Sequence, residues 1–237
     1  MPMPRDPDTS RLPGVVPRMR LPSRMVARTL VVFGLWRVSR PAWDNAGSAA
    51  LVEHVGPWTI ADVEALSDAG DHSRFELLTP GVLTVSPAPG TVHLRVCRRS
   101  ANLLDDAAVA AGAAVEVLEA VNVEIAGGRL AVPDIAVVDG GFAATDPTRY
   151  LPGTVLAVVE VVSPSTHPQD RVIKPGLYAD TKIPVYWRVE IESTPQVIVS
   201  ELRGSAYVQT MTISAGRPGI IAAPFPLEVD PAALVRQ

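Results

Sequence analysis

Cysteine and lysine are scarce in this chain of 237 residues, whose only cysteine is Cys97 and whose only lysines are Lys174 and Lys182. One cysteine cannot close an internal disulfide or supply the cysteine clusters of zinc fingers and iron–sulfur proteins, so these classes are excluded. It also favours a reducing compartment, and we therefore expect a cytoplasmic protein. Because the other basic side chains are arginines, each lysine is a candidate for specific chemistry.

Long hydrophobic runs and glycine-rich phosphate loops are also missing. No stretch of about 20 apolar residues occurs, so we expect no transmembrane helix. The apolar run at residues 29–36 is short and is followed by Arg37 and Arg40, which argues against a secretory signal. Without a phosphate-cradling glycine loop, the sequence gives no support to nucleotide-driven chemistry.

Positive charge is concentrated at the N-terminus. Residues 1–40 contain eight arginines and two aspartates, a net charge of +6, whereas residues 41–237 contain 13 basic and 23 acidic residues, a net charge of −10. The N-terminal segment is rich in proline and lacks an apolar period, so we predict a disordered basic arm over residues 1–50 and one folded domain over residues 51–237. The acidic domain lacks the bulk charge typical of tight binding to a phosphate backbone.

The rest of the sequence alternates between strand and helix patterns. The continuous apolar run at residues 154–162 predicts a strand buried on both faces in the middle of a sheet. A helical period over residues 91–111 ends at Gly112, a natural helix stop. Further strands are expected at residues 75–78, 82–86, 115–125, 129–139, 184–190, 196–202 and 206–213, and shorter helices at 59–67 and 170–181. The pattern predicts an α/β or α+β domain with a mixed central sheet flanked by helices.

Two acidic residues fall inside apolar strands, where an unpaired charge is costly. Asp134 lies in the run AVPDIAVV and Glu160 in LAVVEVV. If these strands are neighbours, the two carboxylates converge at one edge of the sheet and offer oxygen ligands to a hard cation such as Mg²⁺. Alternatively, each carboxylate ends its strand or pairs with an arginine. Pro133, directly before Asp134, predicts an edge, a bulge or a bend.

The order of the motifs carries a family resemblance. The chain contains, in succession, FELLTPGVLTVSPAP, His93, VPDIAVV and VVEVVSPSTHPQDRVIKPGLYADTKIPVYWRVE. This series, which spans about residues 58–230, resembles the Uma-type restriction endonuclease family of the PD-(D/E)XK nuclease superfamily. A Pro-Asp pair alone carries little weight, and the specificity comes from the order and spacing of the whole series.

The resemblance implies a restriction-endonuclease-like core in which Asp134 and Glu160 hold Mg²⁺ or Mn²⁺ and a lysine assists the attacking water. The superfamily usually has that lysine two residues after the glutamate, where this chain has Val162. The family typically carries it on the following helix, which makes Lys174 the expected catalytic lysine and leaves Lys182 facing solvent. A homodimer is expected by analogy, because superfamily nucleases often cleave both strands as dimers.

Two residues nearer the N-terminus also match family positions, and each has a structural alternative. Glu76 is expected to be a catalytic residue that approaches the metal directly or through water, or else to form an ion pair with Arg74 or Arg95. His93 is expected to contact a phosphate or the edge of the site, or else to be a structural residue at the start of its helix.

The predicted helix at residues 170–181 carries two supporting residues besides the lysine. Asp170 is expected to cap this helix and to orient Lys174. Tyr178 follows Lys174 by four residues, so it lies on the same helical face and can pack beside the lysine.

Together with the resemblance, these residues predict a Mg²⁺-dependent endonuclease that hydrolyses phosphodiester bonds in DNA. Carboxylate-bound Mg²⁺ can activate water and neutralise the scissile phosphate. Lys174 can orient or deprotonate that water, or stabilise charge in the transition state. The alternative is a nuclease-fold protein that binds nucleic acid or acts as a regulator with weak or no catalysis, which the acidic domain favours. Retention of Asp134, Glu160 and a lysine favours the enzyme.

Overall fold

The computed structural model describes residues 30–32, 54–68, 73–86, 88–162 and 169–236. The strands in these residues are β1 (Leu30–Val32), β2 (Arg74–Thr79), β3 (Val82–Ser86), β4 (Val115–Glu119), β5 (Val123–Ile125), β6 (Arg129–Ala131), β7 (Ile135–Asp139), β8 (Val155–Val162), β9 (Val185–Glu190), β10 (Gln196–Arg203), β11 (Ala206–Ser214), β12 (Gly219–Ile221) and β13 (Leu227–Val229). The helices are α1 (Ile60–Asp68), α2 (Thr91–Ala111), α3 (Gly140–Ala143), α4 (Lys174–Asp180) and α5 (Pro231–Val235), and a π-helical turn at Gln169–Ile173 leads into α4.

The central sheet has six strands in the order β11-β10-β9-β8-β7-β4. Neighbouring strands are antiparallel except β8 and β9, which run parallel. Parallel neighbours need a crossover connection, and the segment between β8 and β9 contains α4. Strand β8 is buried along nearly its whole length, as its continuous apolar sequence predicts. The expected α+β domain with a mixed central sheet is therefore confirmed.

Helices cover both faces of this sheet. Successive residues of a strand point to opposite faces, and on β8 Val159 belongs to the apolar cluster that includes Leu104 of α2, whereas Val158 belongs to the cluster that includes Tyr178 of α4. The C-terminal strands β12 and β13, together with α5, extend the core on the α2 side. The sheet is thus a middle layer between two apolar clusters, and its strand ends are the places where polar side chains can meet.

The longest helix in the described part of the chain is α2, which spans the 21 residues Thr91–Ala111 that the sequence pattern predicts. It ends at Gly112 in the left-handed conformation with φ +61°, which glycine adopts without steric cost. Its buried face carries His93 and Cys97 near the N-terminal end. None of the helices that the structure describes is both long and apolar enough to cross a membrane.

The second sheet has the order β1-β3-β2-β6-β5 and is antiparallel throughout. Its β2–β3 hairpin confirms the hairpin expected from the sequence. Strand β1 consists of Leu30–Val32, which pair with β3. We expected residues 1–50 to lack regular structure, and these three residues depart from that expectation. The rest of residues 1–50 lies outside the described residues.

Two strands expected to be continuous are each divided between the two sheets. The segment at residues 115–125 breaks after β4, where Ala120 has φ +53°, and resumes as β5. The segment at residues 129–139 breaks between β6 and β7 around Pro133, which confirms the bend expected there. The chain therefore passes from one sheet to the other immediately before Asp134.

Candidate active site

Asp134 and Glu160 meet where β7 begins and β8 ends. The two strands are antiparallel, with Ile135 opposite Val159. The same register continued by one residue places Asp134 opposite Glu160, and directly opposed residues share one face with Cβ atoms about 5 Å apart. Both residues are buried. The backbone amide of Val161 also donates to Asp134 Oδ2 at 2.7 Å, which ties the aspartate to the end of β8.

Asp134 is surrounded by donors. Arg74 Nη1 donates to Asp134 Oδ1 at 2.7 Å, and His93 Nε2 lies 3.2 Å from Asp134 Oδ2. Burial by itself would raise the pKa of Asp134, but the hydrogen bond from His93 and the positive charge of Arg74 hold it well below its usual range. Asp134 is therefore an ionised carboxylate in the protein interior.

Within the described residues, Glu160 has fewer donors than Asp134. Lys174 Nζ and the Tyr178 hydroxyl both donate to its Oε1 atom, at 3.0 and 2.6 Å. Burial raises the pKa of Glu160 to about 8; the charge of Lys174 opposes this rise, whereas the charges of Asp170 and Asp134 add to it. Glu160 is therefore an acid with a surplus of negative charge around it.

Lys174 lies at the centre of this acidic cluster. It is the first residue of α4, and its side chain is only 3% exposed. Its Nζ atom lies 3.0 Å from Glu76 Oε1, 3.0 Å from Glu160 Oε1 and 3.7 Å from Asp170 Oδ1. Burial alone would lower the pKa of Lys174, but the charges of Glu160 and Glu76 raise it above its ordinary value. The lysine is therefore held in its charged form.

Glu76 links the second sheet to the cluster. It lies on β2, and its Oε1 atom accepts the Val132 amide at 2.9 Å as well as the lysine contact. Lys174 Nζ also donates to the Val132 carbonyl at 3.4 Å. The two contacts fix the chain at the bend that precedes Asp134, because the backbone amide of Val132 is bound by Glu76 and its backbone carbonyl by Lys174.

The structure brings the residues expected at the site together at one end of the sheet. The buried polar or charged residues there are Glu76, His93, Asp134, Glu160, Asp170 and Lys174, and buried Tyr178 joins them through its hydroxyl. Lys182 was expected to face solvent. It is exposed, and its Nζ atom donates to the Gly204 carbonyl at 3.3 Å.

Two ion-pair alternatives have definite outcomes. The expectation that Glu76 pairs with Arg74 or Arg95 is wrong, because Glu76 pairs with Lys174 and Arg74 reaches Asp134 instead. The alternative that a strand carboxylate pairs with an arginine is confirmed at Asp134.

Sequence reasoning missed two residues that border the site. Arg74 was considered only as a partner of Glu76, and its distance of 60 residues from Asp134 along the chain gave no local signal. Cys97 follows His93 by four residues on α2, a spacing that places both on one helical face. The spacing of four residues from His93 is therefore the signal from which Cys97 could have been found.

The donor set suits a divalent cation. Four buried carboxylates lie there, those of Glu76, Asp134, Glu160 and Asp170, and among the described residues Arg74 and Lys174 form ion pairs with them. Burial and the neighbouring carboxylates raise the pKa of Glu160, so an additional cation is favourable there. Carboxylate oxygens are the ligands that Mg²⁺ and Mn²⁺ prefer. Asp134 and Glu160 would hold such an ion.

The α+β fold is shared with a solved structure. The crystal structure of "a putative nuclease belonging to DUF820 from Anabaena variabilis ATCC 29413" is 17% identical to this chain, with a TM-score of 0.56. The likeness covers 76% of this chain and 98% of that chain, and at this identity it shows the fold alone.

The family follows from the sequence comparison. The family profile described as "Uma2: Putative restriction endonuclease" matches residues 60–231, which is well over half of the chain. The protein therefore belongs to the Uma2 family, and the resemblance inferred from its motifs is confirmed. The family description places it among nucleases, hydrolases that act on nucleic acid. No protein with a curated description matches the chain.

Proposed function

We propose that the protein is an endonuclease that uses Mg²⁺ or Mn²⁺ to hydrolyse phosphodiester bonds in DNA, with Asp134 and Glu160 as metal ligands. The observation that carries the proposal is the buried contact of 3.0 Å between Lys174 Nζ and Glu160 Oε1, beside the opposed carboxylate of Asp134. Hard oxygen donors can hold the divalent cation that metal-assisted hydrolysis of a phosphodiester uses, and an adjacent ammonium group can stabilise the negative charge that develops on the phosphate. Membership of a nuclease family supports the same reaction.

The residues of the cluster have separate tasks in this proposal. A bound divalent cation supplies Lewis-acid polarisation of the phosphate and a lower pKa for a bound water. Asp134 is kept ionised by Arg74 and His93, so it offers a full negative charge to the ion. Lys174 orients the attacking water and stabilises negative charge that develops on the phosphate.

Three further residues position these groups. Tyr178 holds Oε1 of Glu160 through its hydroxyl. Glu76 and Asp170 keep the ammonium of Lys174 in place from two other directions. Glu76 thus acts here mainly through the lysine. We further propose that the enzyme is cytoplasmic. We also propose that it acts as a homodimer, and a measurement of its mass in solution tests the oligomeric state.

Cleavage of supercoiled plasmid tests the function. With Mg²⁺, the parent protein should convert supercoiled DNA to nicked and linear forms, and a chelator should stop the reaction. Asp134→Asn should lower the rate by at least about 10²-fold, because it removes the charge from one metal ligand. The matched control is Asp105→Asn, which changes an exposed aspartate on α2 and should cleave at the parent rate.

Cleavage that persists in chelator, or in Asp134→Asn at the parent rate, would contradict the proposal. A second candidate is a nuclease-fold protein that binds nucleic acid with weak or no catalysis. The pairing of Asp134 with Arg74 and of Glu160 with Lys174 favours it, since both carboxylates already have cationic partners. DNA binding without cleavage by the parent protein would support that candidate.

A further inference from the structure

A histidine and a cysteine approach the proposed magnesium site from α2. Cys97 Sγ lies 3.4 Å from His93 Nδ1, one helical turn away. Ligand atoms of His93, Cys97 and Asp134 all lie within 4.8 Å of one another, and all three residues are buried. The cluster combines sulfur, nitrogen and oxygen donors, whereas the opposed carboxylates of Asp134 and Glu160 offer oxygen alone.

We propose that His93, Cys97 and Asp134 form a second metal site for a thiophilic divalent cation such as Zn²⁺. Because the site shares Asp134 with the proposed magnesium site, a cation held there competes with Mg²⁺ for that carboxylate and inhibits the enzyme. This inhibitory role rests on the function proposed above, whereas metal binding by the cluster does not.

The distances suit tetrahedral coordination. Zn–S bonds of about 2.3 Å and Zn–N bonds of about 2.0–2.1 Å place the sulfur and nitrogen ligands roughly 3.5 Å apart. The separation of Cys97 Sγ and His93 Nδ1 is 3.4 Å. Asp134 Oδ2 lies 3.2 Å from the other ring nitrogen, His93 Nε2, but ligand atoms of all three residues lie within 4.8 Å of one another. The carboxylate therefore becomes the third ligand by turning from Nε2 towards the cation, and water fills the fourth position. The scarcity of cysteine excludes cysteine-rich zinc sites from this chain but not a site of this mixed composition.

The chemistry of the donors separates the two classes of ion. Thiolate and imidazole ligands favour Zn²⁺ and Co²⁺, whereas Mg²⁺ takes oxygen ligands. Burial raises the pKa of the Cys97 thiol, so the thiol keeps its proton until a cation displaces it. Formation of the site therefore releases one proton from Cys97 to solvent as the metal–sulfur bond forms.

Cobalt binding tests the site without any reference to catalysis. Metal-free parent protein should bind one Co²⁺ and develop the near-ultraviolet charge-transfer band of a cobalt–thiolate bond, and Zn²⁺ should abolish the band. Because Cys97 is the only cysteine of the chain, no other side chain can produce it. Cys97→Ser and Cys97→Ala should both lack the band, and either folded variant suffices if the other fails to fold.

Ser100→Ala is the matched control, because Ser100 is a small buried residue of the same helix whose hydroxyl has no hydrogen-bond partner among the residues that the structure describes. This variant should keep the cobalt–thiolate band. Asp134→Asn should weaken Co²⁺ affinity by at least about tenfold if the carboxylate belongs to the site. A parent protein without the band would overturn the site, and unchanged affinity in Asp134→Asn would overturn the sharing.

Zinc inhibition then tests the consequence for the enzyme. Each protein's Mg²⁺-dependent cleavage is normalised to its own rate without zinc. The parent should be half-inhibited at a Zn²⁺ concentration at least about tenfold below that needed for Cys97→Ala, since loss of one ligand weakens the site. Equal sensitivity would overturn the inhibitory role. A parent protein that never cleaves DNA would instead refute the proposed function, and the cobalt band would still decide whether the site exists.

Discussion

The two proposed metal ligands lie opposite each other, yet their surroundings differ. The carboxylate oxygens of Asp134 are contacted by an arginine, a histidine and a backbone amide. Glu160 receives a tyrosine hydroxyl and an ammonium that it shares with Glu76 and Asp170. Burial favours the neutral form of both acids, but the pKa of Asp134 is lowered and that of Glu160 is raised to about 8.

The difference shows that burial alone does not decide the charge of an acid in this cluster. Donors committed to one carboxylate outweigh desolvation, whereas a cation divided among three carboxylates does not. Asp134 is therefore a prepared anionic ligand, and Glu160 is the group that gains most from an additional cation. Changing the donors of one of these two carboxylates and measuring the effect against a change at the other tests this difference.

The largest effect is expected from removing the shared cation. Lys174→Met leaves Glu76 and Glu160 in the interior without an ammonium, which should lower the free energy of unfolding by about 3–5 kcal/mol. Arg74→Met should cost less, because the Arg74 side chain is 24% exposed and Asp134 keeps two other donors. Urea unfolding measures both, and a larger loss in Arg74→Met would reverse the comparison.

The opposite pKa shifts predict opposite pH dependence in metal-free protein. Glu160 has a folded pKa of about 8 against an ordinary value of 4.5, so its stabilising contribution is complete below pH 4.5 and is lost as pH rises to about 8. Between pH 6 and 8 the parent should lose stability relative to Glu160→Gln by up to about 1.4 kcal/mol per pH unit.

Asp134 provides the contrast in the same experiment. Its lowered pKa gives a contribution that is present above the ordinary value of 3.8 and is lost as pH falls further. The stability difference between the parent and Asp134→Asn should therefore stay constant between pH 6 and 8. Thermal unfolding in chelator at several pH values measures both differences. If the stability difference between the parent and Glu160→Gln stays constant between pH 6 and 8, Glu160 is already ionised at pH 6.

The catalytic lysine is tested by a substitution that keeps the positive charge and hence the fold. Lys174→Arg places a larger guanidinium in a nearly closed site, where it cannot orient the attacking water as the compact ammonium does, so cleavage should slow by about 10²-fold. Lys182→Ala changes an exposed lysine and should leave the rate unchanged. If Lys174→Arg cleaves at the parent rate, or Lys182→Ala suffers the larger loss, the assignment is wrong.

The smallest effect is expected far from the cluster. Deleting residues 1–28 should leave the melting temperature within a few degrees, since this segment has no periodic apolar face. Deleting residues 1–40 also removes β1, a three-residue edge strand beside β3, and should cost slightly more. Loss of cooperative unfolding after the shorter deletion would show that the arm belongs to the folded domain.

The sequence was sufficient where the signal is local. The apolar run of β8, the helical period of α2 and the hairpin turns predicted the elements, and motif order predicted the meeting of Asp134, Glu160 and Lys174. It was insufficient where contacts join distant segments. The partners of Glu76 and Asp134 depend on how β2 docks against the bend before β7, and no periodicity encodes that docking. The same docking explains why the strands expected at residues 115–125 and 129–139 are each divided between the two sheets.

The location of a bound divalent ion tests the central claim most directly. Crystals of the protein grown with Mn²⁺ should give an anomalous difference peak that contacts carboxylate oxygens of both Asp134 and Glu160, and the peak should vanish in crystals of Glu160→Gln. A fully occupied Mn²⁺ peak elsewhere, or no peak between these two carboxylates at saturating Mn²⁺, would contradict the account.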